Sequence, residues 1–309
     1  MKPAFSVIFF TVGSGFGLGL FALLVLADLA GLGGGLTRTA IVITGLVALA
    51  FTTAGLFSST LHLANPKNAW RAFSRFKTSW LSREGVFAVV FYPFALAYLA
   101  SAWFGWPDKL HILLGVGAMV LAAVVVYCTG MIYACLKTIP QWHSRLVPLN
   151  YLLLGGFSAS LFLLAVALAD GARPSPYAAL ALALGAAAAV FKGIYYHRFR
   201  APTGKHTLAG AIGMTAAQAK LLDAGHTHGT FLTKEFGFQV ARKHAVALRY
   251  AVFAATFLVP FVVLATGVRA PGVVGLATLV ALGGLLAERW LFFAEARHVV
   301  NLFHGVPRV

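Results

Sequence analysis

The chain has 309 residues, of which 60% are hydrophobic and only 10% are charged. Soluble domains carry about 25% charged residues, so this composition excludes a soluble globular protein and predicts an integral membrane protein. In a soluble protein the net charge of +16 would indicate nucleic-acid binding. Here the bias of Lys and Arg toward one side of a membrane explains it, and no nucleic-acid partner is expected.

Apolar runs of about 20 residues, the length that crosses the hydrocarbon core of a bilayer, recur evenly along the chain. We therefore predict an all-α integral membrane protein, a single bundle of eight transmembrane helices forming one domain over residues 1–309. The connections are short except for 62–84 and 197–245, which we expect to dock partner proteins. The predicted spans are 5–28, 39–61, 85–104, 110–136, 147–169, 176–196, 246–267 and 272–296.

Lys and Arg are distributed unequally between the two faces of this bundle. With eight spans, both termini share one face with the second, fourth and sixth connections; we call it the basic face. It carries 20 of the 24 Lys and Arg residues. Because positively charged loops stay in the cytoplasm, we predict that the basic face and both termini are cytoplasmic, in the inner (plasma) membrane. The opposite face carries only Arg38, Lys109, Arg173 and Arg269.

The predicted spans contain no ionisable residue near their middle, and nine of the ten His residues lie on the basic face. Transporters and pumps usually place ionisable groups inside the membrane, so a non-redox transporter or scaffold is the less favoured class. A pair of haems stacked across the bilayer would need axial His at both depths, but only His111 lies on the opposite face. In the first span, glycines four residues apart predict close helix packing; they are Gly13, Gly15, Gly17 and Gly19.

The connection between the second and third spans concentrates polar and aromatic residues. His62 ends the second span and Glu84 opens the third, so a helical hairpin would place both at the same depth. A redox quinone moves two electrons and two protons together. A His can hydrogen-bond a quinone carbonyl and pass a proton, and a Glu at a partly dry interface can accept the other. The residues that would orient the head group and wall the pocket are Asn65, Arg71, Arg83, Trp70 and Trp80.

A structural alternative explains the same residues without a ligand. His62 would cap the end of a helix, Glu84 would pair with Arg83 or another neighbouring Arg, and the Trp side chains would be interfacial anchors. Spacing alone leaves this choice open.

Three segments resemble the membrane anchor subunit of the dimethyl sulfoxide reductase family of molybdoenzymes. They are Pro3–Thr11, the block Ser59–Leu63 with Trp70–Phe73, and Trp80–Glu84. The resemblance implies an anchor without haem that binds menaquinone or ubiquinone, with the family's quinol-site His and Glu falling on His62 and Glu84. It also implies two partners, a four-cluster iron–sulfur subunit and a molybdopterin catalytic subunit, so the substrate chemistry would belong to a partner and not to this chain.

The orientation bears on the reaction. Archetypal members of this family serve a catalytic subunit outside the cytoplasm, which reduces sulfoxides with electrons from quinol. Catalytic subunits docked on a cytoplasmic face instead resemble the sulfite-oxidising branch, in which sulfite gives two electrons to quinone. Sulfite oxidation is therefore the first expectation, and quinol-driven reduction of a sulfoxide or polysulfide is the alternative.

The long connection 197–245 contains the pair His226 and His228, which is one ingredient of a metal site. No Cys or carboxylate cluster accompanies it, so no metal is expected there. Phenylalanines lie among its charges, a mixture that suits a protein interface.

Cysteine labelling tests the predicted orientation. In a protein whose Cys128 and Cys135 are replaced by Ser, single Cys residues placed within 205–235 should react with a membrane-impermeant reagent only after the cells are opened. Arg173→Cys, on the opposite face, should react in intact cells. Labelling of 205–235 from outside would contradict the cytoplasmic orientation, and the preference for sulfite with it.

Overall fold

The computed structural model describes residues 3–61, 66–199, 207–215, 240–267 and 269–304. Within these ranges eight helices are long and apolar enough to span a membrane, which confirms the predicted all-α membrane protein. Their bounds agree with the predicted spans to within two residues, except at the start of the third. They are α1 (Phe5–Leu29), α2 (Arg38–Thr60), α3 (Trp80–Phe104), α4 (Asp108–Ala134), α5 (Leu146–Asp170), α6 (Ser175–Arg198), α7 (His244–Ala265) and α8 (Pro271–Ala294).

Helix α3 begins five residues earlier than predicted because Ser79 caps it. The Ser79 hydroxyl accepts a hydrogen bond from the backbone N–H of Ser82 at 3.4 Å, which satisfies one of the donors that a helix start leaves open. Glu84 therefore lies inside α3 and does not open it. The connection before it is also partly helical, since Pro66–Arg75 form a 3₁₀ helix.

Helix α1 is the centre of the molecule and packs against α2, α4, α5 and α8. In its most apolar 18-residue window 72% of the residues are buried, against 22% in α7. A Cβ atom at Gly17 would lie 2.6 Å from the Ala48 carbonyl oxygen, and one at Gly19 would lie 2.9 Å from the Gly155 carbonyl oxygen. Small residues let helix backbones approach this closely, so the predicted packing role of these glycines is confirmed.

The eight helices form two groups of four that meet through α1 and α5. In the first group α1 packs on α2 and α4, and α3 packs on α4 and α2; in the second α5 packs on α6 and α8, and α7 packs on α8. The hairpin of α3 and α4 thus lies at the edge of the bundle. Large apolar side chains on its outer surface, such as Val89, Leu96 and Leu113, are exposed, as expected for a surface that contacts lipid.

On the face opposite the basic face, short polar contacts tie the helix ends together. Asp28 accepts a hydrogen bond from the Tyr98 hydroxyl at 2.5 Å and lies 2.9 Å from His111 Nε2. Asp170 accepts hydrogen bonds from the backbone N–H and the hydroxyl of Thr37, at 2.7 and 2.6 Å. His111 is therefore a structural partner of a carboxylate.

Helix α7 contains one wide turn. An α-helical segment Val240–Phe253 is followed by a π-helical turn, Ala254–Leu258, and by a second α-helical segment, Val259–Ala265. Pro260 in that second segment has no backbone N–H to donate, and such a break in the hydrogen-bond ladder favours a local π turn. Pro93, by contrast, lies within an uninterrupted α3.

Two glycines of α1 provide a matched test of its packing. A Cβ atom at Gly17 would collide with α2, whereas one at Gly15 meets no atom within 4 Å. We expect Gly17→Ala to lower the unfolding temperature by several degrees, since overpacking costs about 1–3 kcal/mol. Gly15→Ala should leave it unchanged or raise it slightly. Thermal unfolding in detergent measures both, and equal effects of the two substitutions would contradict the packing account.

Candidate functional site

Aromatic contacts hold the connection that precedes α3 on the α3–α4 hairpin. Phe73 packs so close to Gly85 that a Cβ atom there would lie 3.3 Å from the ring. The rings of Phe76 and Phe87 meet edge to face at 5.6 Å between centroids. This connection therefore covers the start of α3 at the basic face.

Glu84 lies beneath that cover and faces α4. Its side chain is 3% exposed, and the Thr129 hydroxyl donates a hydrogen bond to its Oε1. Among the described residues no Lys or Arg forms an ion pair with it. Glu84 is thus a buried carboxyl group held by one neutral hydroxyl, near the end of a hairpin whose outer surface faces lipid.

Arg83 points away from Glu84 and holds the connection in place. Its Nε donates to the Phe76 carbonyl oxygen at 3.0 Å, and its Nη2 donates to the Lys77 carbonyl oxygen at 2.7 Å. Its guanidinium lies 4.3 Å from the centroid of the Trp80 ring. The alternative in which Glu84 pairs with Arg83 is therefore wrong.

The other predicted site residues are only partly brought together. Trp80 packs edge to face against Tyr127 of α4, at 5.9 Å between centroids. Trp70 is 65% exposed and Arg71 lies against its ring, so both belong to the outer surface of the connection. His62 and Asn65 lie outside the described residues, and their placement beside Glu84 stays a prediction. The same holds for His226 and His228.

A buried ion cluster lies inside the second group of helices, and the sequence prediction missed it. Lys192 of α6 donates a hydrogen bond to Glu288 Oε1 of α8, and Arg289 Nε lies 3.2 Å from Glu288 Oε2. The three residues are 1%, 1% and 4% exposed. Lys192 and Arg289 were counted among the loop cations of the basic face, and that placement is wrong. The missed indication is that each interrupts an apolar run several residues before its helix ends.

Aromatic rings fill the space between α4, α5 and this cluster. The Arg289 guanidinium lies 3.8 Å from the centroid of the Tyr151 ring. Tyr151 in turn stacks on Tyr133 of α4, one turn beyond Thr129. Glu84 and the ion cluster therefore share one layer of the bundle, near the basic face.

Comparison with known proteins places the chain in a family. A model of the family described as DMSO reductase anchor subunit (DmsC) matches residues 1–305. The chain belongs to this family. A subunit of the sulfite dehydrogenase of Allochromatium vinosum is 33% identical over 323 aligned residues, which cover 98% of this chain and 99% of that protein. One chain of the anaerobic dimethyl sulfoxide reductase of Escherichia coli is 28% identical over 121 residues, 38% of this chain and 42% of that protein.

These matches confirm the resemblance seen in the N-terminal segments and extend it over the whole chain. The protein is thus a multi-pass membrane anchor of the DMSO reductase family. Its closed opposite face and its polar layer near the basic face are features of that anchor.

Substitutions in the ion cluster should have unequal effects on stability. Glu288→Gln leaves two buried cations without a carboxylate, and breaking a buried pair in this way costs about 3–5 kcal/mol. Lys192→Met leaves Glu288 paired with Arg289 and should cost clearly less. Chemical or thermal unfolding of the purified protein compares the two variants. A larger loss from Lys192→Met would contradict the role given to Glu288 as the shared partner.

Proposed function

We propose that this anchor binds quinone beside Glu84 and exchanges electrons between the quinone pool and an iron–sulfur subunit of a heterotrimeric molybdopterin oxidoreductase. The observation that supports this most is Glu84 itself, a buried carboxyl group held by Thr129 near the basic face. A carboxyl group that lacks a cationic partner is expensive to keep in a membrane protein and usually has a function.

Quinone chemistry gives this carboxyl group a role. A quinone that takes up two electrons must also take up two protons to become quinol, and the reverse step releases them. The exposed outer surface of the α3–α4 hairpin lets an isoprenoid tail remain in lipid while the head group approaches Glu84. Glu84 would exchange one proton with one quinone oxygen, and His62 would hydrogen-bond the other and exchange the second proton.

The connection 62–84 would serve as the electron entry. Its outer surface presents the exposed Trp70 ring and Arg71, while Arg83 and Trp80 fix it to α3. Trp and Arg are enriched at the centres of protein interfaces. An iron–sulfur subunit docked here, with further contacts from 197–245, would bring a cluster near the quinone head group.

Sulfite is the proposed source of the electrons. The match to the sulfite dehydrogenase protein spans both sequences almost completely, whereas the match to the dimethyl sulfoxide reductase protein is limited to 38% of this one. On the catalytic partner, sulfite and water would give sulfate, two protons and two electrons. The electrons would pass through the iron–sulfur subunit to quinone, which also takes two protons from the basic face. We place that face in the cytoplasm.

The second candidate is the reverse flow, in which quinol is oxidised here and a sulfoxide or polysulfide is reduced on the partner. The segment shared with the dimethyl sulfoxide reductase protein favours it. A non-redox transporter or scaffold has no such support from the comparisons.

Glu84→Gln and His62→Arg test the site in the complex purified with its partner subunits. Each should reduce sulfite-driven quinone reduction by about 100-fold or more, the usual value of a proton-transfer group. Sulfite oxidation with a soluble dye, which takes electrons directly from the partner subunits, should not change. Asp108→Asn, an exposed carboxylate on the opposite face, is the matched control and should leave both activities intact.

The same assay separates the two directions. If the quinone site is correct but the complex turns over only with quinol and a sulfoxide or polysulfide, the sulfite proposal fails and the second candidate replaces it. Full quinone turnover in Glu84→Gln would contradict the site itself.

A further inference from the structure

A cavity of about 180 Å³ opens at the basic face where α6 and α8 end and α7 begins. Its polar lining consists of Gln141, Tyr195, Tyr196, Arg249, Glu295 and Arg297, and the remaining lining is apolar. Glu84 is not among these residues, so the cavity is separate from the proposed quinone site. Pockets for drug-sized ligands measure about 300–1,000 Å³, so this one has room for a head group only.

The cavity presents hydrogen-bond donors that lack partners within the described part of the protein. Tyr196 is 8% exposed, and its buried hydroxyl makes no hydrogen bond; the same is true of Arg249 Nε. The neighbouring acceptor, Gln141 Oε1, already receives the backbone N–H of Arg297 at 3.1 Å. Buried donors without partners are costly, so a ligand that fits must bring acceptor oxygens.

The charge of the lining points the same way. Arg249 Nη2 donates to Glu295 Oε1 at 2.8 Å, which leaves Arg297 as the excess cation. Burial raises the pKa of Glu295, with Arg249 opposing the rise, and burial lowers the pKa of Arg297. Behind the two tyrosines, Lys192 and Arg289 share the single carboxylate of Glu288. One negative charge in the cavity would balance its lining.

The mouth of the cavity lies at the depth of lipid head groups. Val246, on its rim, is the third residue of the membrane span His244–Ala265 and is 55% exposed. Tyr250, one turn farther along α7, is 75% exposed. Tyrosine is enriched at this level of a bilayer, where its ring contacts acyl chains and its hydroxyl contacts water. The outer side of α7 therefore offers a path by which an acyl tail leaves the cavity.

We propose that this cavity binds the phosphodiester of an anionic membrane phospholipid. The Tyr196 hydroxyl and Arg249 Nε donate to the phosphate oxygens, Arg297 supplies the balancing charge, and the acyl tails follow Val246 and Tyr250. The lipid joins α7 to α6 and α8 at the end where a long connection separates α6 from α7. This role is independent of the proposed quinone site.

Native mass spectrometry of the complex, purified in mild detergent, stripped of lipid and mixed with defined lipids, tests the proposal. We expect one phosphatidylglycerol to bind at least tenfold more tightly than phosphatidylcholine, whose head group carries no net charge. Tyr196→Phe and Arg297→Gln should each weaken phosphatidylglycerol binding by about tenfold, since each removes a hydrogen bond or charge to the phosphate. Lys137→Gln, which removes an exposed cation from the same face, is the matched control and should not weaken it.

Three results would overturn the proposal. They are equal binding of the two lipids, equal binding by Lys137→Gln and the two cavity variants, and displacement of the lipid by inorganic phosphate at equal concentration. The last would assign the cavity to a free anion. Tyr196→Phe changes a single hydroxyl, so its effect can be measured even if Arg297→Gln fails to fold.

Discussion

The close approach of α1 to its neighbours is the contact on which the rest of the bundle depends. Because α1 is glycine-rich, α2 and α5 contact it at backbone distance, and the two groups of four helices are joined through it. Apolar area cannot drive this association within lipid, where the surroundings are as apolar as the side chains. Backbone packing provides the attraction, and it leaves α3, α4, α6 and α7 on the outside, where their surfaces contact lipid.

The two ends of the bundle differ in how their polar groups are satisfied. At the opposite face Asp28 and Asp170 complete hydrogen bonds between neighbouring connections. Toward the basic face, buried atoms of Ser82, Asn150 and Tyr196 make no hydrogen bond within the described ranges. A membrane protein cannot hand such groups to water in the bilayer core, so the end that carries them is the one suited to ligands and partners.

The spans and the glycine packing could be predicted because both depend on local properties of the sequence, namely the length of an apolar run and a four-residue spacing of small residues. The true start of α3 could not, because Trp80–Glu84 look polar in a hydropathy window although Ser79 caps a helix there. The ion cluster was missed for a different reason. Lys192 and Glu288 are 96 positions apart, and no pattern in one sequence shows that two distant helices bring them together. For the same reason the sequence suggested Glu84 as a site residue but not Thr129 as its partner.

The wide turn Ala254–Leu258 in α7 has a consequence for the residues that precede it. Each residue of an α-helix advances the side chain by about 100° around the axis, and a π turn accommodates one residue more than an α-helical turn. This extra residue sets the angular phase between the two halves of α7. It allows Arg249 to point at Glu295 while the second half keeps its own apolar side toward α8. A one-residue deletion within the turn would therefore act at a distance: it would rotate Arg249 out of line with Glu295 while leaving the composition of α7 almost unchanged.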